Sequence, residues 1–379
     1  MTTIYLIRHG QAEGNYYRRC HSWHNGLLTS KGREQLVLLE KRFENVHIDA
    51  VYSSDLYRAM STAGAIYRPR GLTLRVDPGL REIGAGAWED IPWGQLLHDH
   101  REALTSFLCC DPDWYIEGGE HFPQVRERVE RAVARIAAAH PGQTVAVVSH
   151  GCAIRAGLSA WLGMGVDRIG LIPLSDNTGV AKLEVENSHV QVVYYNDNSH
   201  LGAFASPARS SGRDYALSVM EANALYYRPL SFPQDNSAYL AACEEGWMAG
   251  FGSVDGFDGA SFLAEAQKDS ELCPDSVLQA LLGDVPAGVL HTDWQRDAGQ
   301  GVGWIVFLYM APDFRGKGLS VQLLGQAVSA ARALGRQYLR VCCPPGNYAG
   351  RSYFLAHGFH TASGGDRPNV LEQYIGLEL

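Results

Sequence analysis

The sequence predicts two α/β domains in series, the first built on a mostly parallel sheet covered by helices. Three observations predict it. The 379 residues exceed what one ordinary compact core accommodates. Over residues 1–201, short β-rich runs alternate with helical stretches, the pattern of strand–helix–strand units. The run 202–213, Gly-Ala-Phe-Ala-Ser-Pro-Ala-Arg-Ser-Ser-Gly-Arg, is small and polar enough for a linker, and fresh helical and strand signals begin at 214 and continue to 379.

In the first half the strand candidates are Thr3–Ile7, Ala50–Ser53, Leu72–Val76 and Thr144–Ser149. A helix starts after Thr29, a plausible N-cap, and turns Leu36, Leu39 and Phe43 inward. Another spans Gln124–His140, with Val125, Val129, Val133 and Ile136 on one face and Pro141-Gly142 ending it. In the second half a strand within 302–310 leads through a glycine-rich turn into a helix over Leu319–Leu334. Tyr338–Cys342 and the terminal run Asn369–Leu379 read as strands.

Bulk composition excludes several classes. At 46% hydrophobic and 19% charged, with no apolar run long enough to span a bilayer, the chain is of soluble globular type. A net charge of −9 argues against a general nucleic-acid or anionic-membrane binder. The opening Met1-Thr2-Thr3-Ile4-Tyr5-Leu6-Ile7-Arg8 has no basic leader and no small-residue cleavage site, so it reads as a buried strand, and cytoplasmic location is the default. The eight cysteines lack disulfide or zinc spacing and read as free thiols, and no metal site is expected.

Four segments of the first half carry chemistry. Arg8-His9-Gly10 follows the first strand, with Asn15 six residues after His9. Ser53-Ser54-Asp55-Leu56-Tyr57-Arg58 runs from a strand end into a helix bearing Arg58. Leu80-Arg81-Glu82-Ile83-Gly84-Ala85-Gly86 is a glycine-rich loop holding a carboxylate. Val145-Ala146-Val147-Val148-Ser149-His150-Gly151 delivers a second histidine at a strand's carboxyl end. In open α/β sheets the ligand crevice lies outside the carboxyl ends of the strands, so these segments can converge there. Arg8 and Arg58 offer planar forks suited to phosphate, and Asn15 and His150 could add donors.

These four segments in this order resemble the histidine phosphatase superfamily, which includes the cofactor-dependent phosphoglycerate mutases, over essentially all of residues 3–201. The resemblance implies a three-layer α/β/α, phosphoglycerate mutase-like domain (1–201) that hydrolyses a small phosphorylated metabolite and needs no cofactor. His9 would be the nucleophile forming a phosphohistidine, Arg8, Arg58 and His150 the phosphate-holding groups, and Glu82 the proton donor and later the base for water. Gly118-Gly119-Glu120-His121 resembles the family's substrate-side loop, adding Glu120 and His121 to Asn15 as substrate-binding candidates. Mutases of the family carry longer insertions between acid loop and second histidine. The compact stretch from Glu82 to His150 therefore favours a phosphatase, with a mutase as the alternative.

In the second half, Arg315-Gly316-Lys317-Gly318-Leu319-Ser320 sits between strand and helix, where exposed N–H groups at a helix start bind anions and glycines let a pyrophosphate approach. This run resembles motif A of the GCN5-related N-acetyltransferase (GNAT) family, and Asn347 through Gly358-Phe359 resembles its second signature. The resemblance implies an α+β GNAT-like domain (214–379) that binds acetyl-CoA and acetylates an amine acceptor. The cofactor-binding candidates are Met310, Arg315, Gly316, Lys317, Gly318, Leu319, Ser320, Asn347, Tyr353 and Phe354. Phe354 stands where many members carry the tyrosine that protonates the departing thiolate, and Tyr353 is one place early, about 100° away on a helix. A non-catalytic acetyl-CoA-binding module that regulates the phosphatase is thus a second possibility. For a general base, Glu244, Glu245, Asp293 and His291 all qualify by type.

Overall fold

The computed structural model describes residues 1–187, 189–205, 213–362 and 369–377. In chain order the first part carries β1 (Thr2–Arg8), α1 (Glu13–Tyr17), α2 (Ser30–Phe43), β2 (Ala50–Ser53), α3 (Tyr57–Tyr67), β3 (Leu74–Val76), α4 (Trp93–Asp99) and α5 (Arg101–Cys109). It continues with α6 (Phe122–Ala139), β4 (Thr144–Ser149), α7 (Gly151–Trp161), β5 (Val180–Glu186) and β6 (His189–Asp197). The second part has α8 (Arg213–Glu221), β7 (Tyr226–Pro229), α9 (Asn236–Phe251), α10 (Gly259–Leu272), β8 (Val277–Leu282) and β9 (Val285–Asp293). After these come β10 (Val302–Met310), α11 (Ser320–Ala333), β11 (Tyr338–Cys342), α12 (Tyr348–Ala356), β12 (His360–Thr361) and β13 (Val370–Tyr374).

The chain divides into two compact units, one drawn from Met1–Ile91 and Asp99–Met220, the other from Pro92–His98 and Glu221–Glu378. Of the expected linker 202–213, residues 206–212 lie outside the described residues, while a short 3-10 segment covers Ser199–Phe204 and α8 starts at Arg213. No helix among the described residues is long and apolar enough to cross a membrane.

The first unit's sheet has the order β3-β2-β4-β1-β5-β6, parallel from β3 to β1 and antiparallel through β5 and β6. Alternation along β4 explains its two covered faces. Val145 and Val147 pack with Val133, Ile136, Ile154 and Leu158 of α6 and α7, whereas Ala146 and Val148 pack with Leu39, Phe43, Ala63 and Ile66 of α2 and α3. Three layers follow. The Thr29 hydroxyl caps α2 by accepting from Gly32 N at 3.0 Å, as its sequence position predicts. Among the expected elements the differences lie at the ends: α6 begins two residues earlier, with Pro123 in its first turn, and β3 is shortened to Leu74–Val76; the antiparallel strands β5 and β6 come in addition to the four expected strands.

The second unit's sheet, β12-β13-β11-β10-β9-β8-β7, is antiparallel apart from the parallel pair β10–β11. That pairing runs from Val302↔Tyr338 to Ile305↔Val341 and stops, although β10 continues to Met310, and a register shift falls between Ile305 and Phe307. The two strands therefore part beyond Ile305. On one face α9 and α10 are tied to the sheet by a buried polar chain. Tyr239 Oη lies 2.8 Å from His291 Nδ1, and His291 Nε2 lies 3.0 Å from Asp269 Oδ2, with His291 fully buried. This occupation removes His291 from the possible bases for an acceptor amine. Asp269→Ala leaves His291 Nε2 without its partner and is expected to cost about 1–3 kcal/mol in urea unfolding of the intact chain. A loss below about 0.5 kcal/mol contradicts that role for the chain.

Candidate active site

Strand register brings the phosphate-site candidates together. Arg8 pairs with Ser149 and Ser53 with Val148, so the next residues, His9, Ser54 and His150, emerge side by side from the carboxyl ends of β1, β2 and β4. His9 N continues the ladder with a 3.0 Å bond to Ser149 O. The two imidazole centroids are 5.1 Å apart. The turn after β1 is pinned from both sides: Gly10 N donates to Thr62 Oγ1 at 2.9 Å, and Asn177 Nδ2 donates to His9 O at 3.0 Å.

His9 Nδ1 lies 2.7 Å from Gly10 O. A carbonyl only accepts, so Nδ1 carries the proton and Nε2 presents its lone pair. Arg58 Nε is 3.4 Å from that Nε2, and the rest of its guanidinium is held by Ser22 O at 2.6 Å and His24 O at 3.2 Å. Arg58 is 2% exposed, which fixes its fork against His9, and burial pulls its pKa down to about 10. Arg8 Nη1 donates to Ser175 O. His150 is fully buried, and neither ring nitrogen has a hydrogen-bond partner among the described residues. Leaving such groups unpaired costs about 1–3 kcal/mol each, and in a neutral ring one of the two nitrogens donates while the other accepts, so one N–H of His150 is open to a ligand oxygen.

Burial first, then the Arg58 and Arg8 charges, hold the His9 imidazole well below its ordinary value of 6.5. Burial, then Arg58 and His9, act in the same direction on His150. The folded chain keeps both rings neutral where an unfolded chain protonates them, so their contribution to stability is present above pH 6.5 and declines as pH falls below it. Between about pH 7 and pH 5 the wild type should lose more urea resistance than a His9→Gln variant. Equal losses in the two proteins would show that His9 titrates in the folded state as it does unfolded.

Glu82 reaches the same place by a different route. Its Oε1 accepts from Ala153 N at 2.9 Å and Ile83 N at 3.0 Å, and its Oε2 from Cys152 N at 3.1 Å, so the carboxyl sits on the first turn of α7, next to His150. The loop that carries it is clamped by Arg128 of α6, which donates to Gly79 O, Arg81 O and Glu82 O at 3.1, 2.6 and 2.7 Å. Arg128 also grips Glu120 through two 2.8 Å bonds, and Glu120 Oε2 accepts from Gly84 N at 2.9 Å. Glu120 is thereby engaged as a loop clamp. His121 precedes α6 and stacks on Tyr115, with centroids 4.8 Å apart. Asn15 is exposed, and its Oδ1 accepts from Ala12 N at 3.1 Å.

Sequence reasoning missed Arg128 and the segment 18–24. Nothing local distinguishes Arg128 from Arg126 and Arg131 of the same helix, which pair with Glu130 and Glu127 one turn away. Ser22 and His24 serve through backbone carbonyls, which every residue possesses. Trp23 adds a 2.7 Å bond from Nε1 to Glu82 O.

In the second unit, Gly316 and Gly318 have φ of +71° and +68°, and a Cβ built on either meets nothing within 4 Å. Backbone conformation, not crowding, requires glycine at both. The α11 N-terminus carries no side-chain cap. Glycines of this conformation in open space at an uncapped helix start fit a pyrophosphate. Leu319 is core at 1% exposure, so it can contribute only its backbone, as can Ser320 N at the helix start. The exposed Arg315 side chain folds back over the strand end, donating from Nε to Met310 O at 2.8 Å and from Nη2 to Glu245 Oε2 at 2.5 Å, while Lys317 Nζ lies 5.6 Å from the Phe314 ring centroid. Asn347 caps α12 through Gly350 N at 2.8 Å, and a Cβ on Gly250 of α9 would lie 3.2 Å from its Cγ. Thus α9 touches both halves of the expected cofactor site. Phe354 is 6% exposed and packs on Phe359, whereas Tyr353 is half-buried against His357, centroids 4.1 Å apart. Asp293 Oδ1 accepts from Gln295 N and Arg296 N in a turn, and Glu244 is exposed.

Comparison with known proteins follows the same division. The profile described as histidine phosphatase superfamily (branch 1) matches residues 4–198, and that of the acetyltransferase (GNAT) family matches 213–359. Phosphoserine phosphatase 1 of Hydrogenobacter thermophilus is 27% identical over 204 residues, 54% of this chain and 96% of that protein. Probable phosphoglycerate mutase GpmB of Salmonella choleraesuis is 30% identical over 164 residues, 43% of this chain and 76% of that protein. Among solved structures, Bacillus stearothermophilus YhfR superposes with a TM-score of 0.52 at 32% identity, covering 53% of this chain and all of that one.

Proposed function

Since the chain belongs to the histidine phosphatase superfamily, whose profile spans half of it, we propose that the first unit hydrolyses small phosphomonoesters through a phosphohistidine at His9. The carrying observation is the buried, neutral His9, whose Nε2 lone pair faces Arg58 beside the unpartnered nitrogens of His150. In the first step the Nε2 pair bonds to phosphorus and the ester P–O bond breaks. Glu82 gives the departing oxygen its proton. Water then attacks the phosphoimidazole, returning a proton to Glu82 and releasing phosphate with His9 restored. Arg8, Arg58 and His150 supply donors to the phosphoryl oxygens as charge spreads over them. Arg128 and Glu120 act by holding the Glu82 loop.

The second unit we assign to acetyl transfer from acetyl-CoA to an amine, with residues 1–201 and 214–379 as the two domains. Backbone amides of 316–320 would hold the pyrophosphate, and the bound thioester supplies the acyl group. Glu245, joined to Arg315 beside the end of β10, is the base candidate bonded to the residue that opens the glycine turn. A sensor role without transfer is favoured by one observation: the side chain at 354 is a core phenylalanine with no proton to give.

The test is a screen of the intact chain against phosphometabolites and small amines, scored for released phosphate and for acetylated product. Phosphoserine and 3-phosphoglycerate belong in it, because relatives bear those names. Gly318→Val places a branched residue at φ +68° and is expected to lower acetyl-CoA affinity in calorimetry by on the order of tenfold or more, with phosphate release unchanged. Unaltered affinity removes the glycine turn from the cofactor site. Binding without transfer to any amine leaves the sensor role standing.

A further inference from the structure

The groups surrounding the phosphate pocket differ in character from those that hold the phosphate. Three large apolar side chains stand exposed on loops at the carboxyl end of the first sheet: Trp23 at 37%, Leu174 at 41% and Tyr115 at 50%. Each is tied to the machinery. Trp23 Nε1 bonds Glu82 O, and a Cβ on Gly84, two residues along, would lie 3.2 Å from the indole. A Cβ on Gly151, the residue after His150, would lie 3.3 Å from a Leu174 methyl and 3.5 Å from Arg8 Nε. Tyr115 stacks on His121 in the loop that bridges to the acid loop through Ala85↔Gly119.

Charge points the same way. The cations beside the acid loop are matched to protein carboxylates: Arg81 to Asp55, Arg128 to Glu120 at 2.8 Å and Arg19 to Asp90 at 2.8 Å. Glu89 adds a further carboxylate there, held by the amides of Trp23, His24 and Ala85. A substrate carboxylate arriving at this rim meets cations already neutralised and apolar surface it must desolvate. An apolar group meets surface that gains from being covered.

We propose that the alcohol half of the phosphatase substrate is apolar or aromatic and binds against Trp23, Leu174 and Tyr115, so that carboxylate-bearing phosphates are the poorer class. The proposal rests on the phosphatase reading of His9. It is tested with the intact protein by comparing kcat/KM for 2-phenylethyl phosphate with that for O-phosphoserine and 3-phosphoglycerate, all alkyl-type esters of comparable leaving ability. The phenylethyl ester is expected to exceed both by about tenfold or more. The surface double variant Leu174→Ser, Tyr115→Ser should erase most of that excess through a raised KM, leaving phosphoserine within about twofold. Trp23→Phe, which keeps a ring but loses the bond to Glu82 O, should retain the preference. A preference for either carboxylated substrate overturns the proposal. So does a double variant that slows all three esters alike. His9→Ala serves as the separate control: if it still releases phosphate, the phosphatase reading fails, whereas loss of release with the wrong preference sinks only the substrate class.

Discussion

His9→Ala is expected to lower kcat for p-nitrophenyl phosphate by on the order of 10⁴-fold or more, the scale seen when an enzyme loses its nucleophile. The reason lies in how much of the site exists to serve that ring. The Gly10 carbonyl fixes its tautomer, the Arg58 fork and burial keep it neutral, and Thr62 and Asn177 pin its backbone. His150 is also held neutral, by burial and the Arg58 charge, but it follows a different strand, so its ring does not stand where the His9 ring stands. The alanine side chain leaves a small cavity in a site set by backbone pairing, so the fold should persist, as circular dichroism can check. Hydrolysis within about tenfold of wild type would mean that another group attacks phosphorus.

Glu82→Gln should lower kcat/KM, which reads the phosphorylation step alone, by about 10²- to 10⁴-fold for alkyl phosphates and distinctly less for p-nitrophenyl phosphate, whose phenolate leaves without a proton. Glutamine preserves the size of the side chain, and its oxygen can still accept from Cys152 N or Ala153 N. What it lacks is a proton to transfer. The contrast between leaving groups separates that loss from mere disturbance of the α7 N-terminus, which would slow both esters alike. Arg128→Ala offers the complementary case. Releasing the carbonyls of Gly79, Arg81 and Glu82 should loosen the acid, and Arg128→Lys should restore little, because a single ammonium cannot reproduce the fork that spans three carbonyls and Glu120.

Much of the first site is legible in the sequence because strand ends carry it. β1 and β4 are apolar on both faces and announce themselves as short uninterrupted runs, and the residues that follow them, His9 and His150, then fall into place through register alone. Helix α6 is equally plain from the spacing of Val125, Val129, Val133 and Ile136, all 2% exposed or less. Less is legible where backbone groups or solvent-facing strands do the work. β6 alternates exposed and half-buried residues, so no fully buried face marks it, although its run Val192-Val193-Tyr194-Tyr195 and the alternation of Ala181, Leu183 and Val185 with Lys182, Glu184 and Glu186 along β5 are strand signals that the four expected strands leave out. Ser22 and His24 contribute carbonyl oxygens, for which no side-chain code exists. Glu120 illustrates the opposite difficulty: its residue type and loop mark it for the site, but only packing reveals that Arg128 occupies it. In the second unit the glycine turn is readable from φ-demanding residues, while the pairing of Arg315 with Glu245 depends on how α9 lies over β10.

The most direct measurement is chemical. Brief mixing of the intact protein with p-nitrophenyl phosphate, followed by an alkaline quench that preserves phosphoimidazole, allows peptide mass spectrometry to locate any transferred phosphoryl group. The expected result is a base-stable, acid-labile phosphoryl group on the peptide containing His9, absent from the His9→Ala protein. A phosphoryl group on another side chain, or turnover with no phosphorylated His9 at any mixing time, contradicts nucleophilic attack by this imidazole.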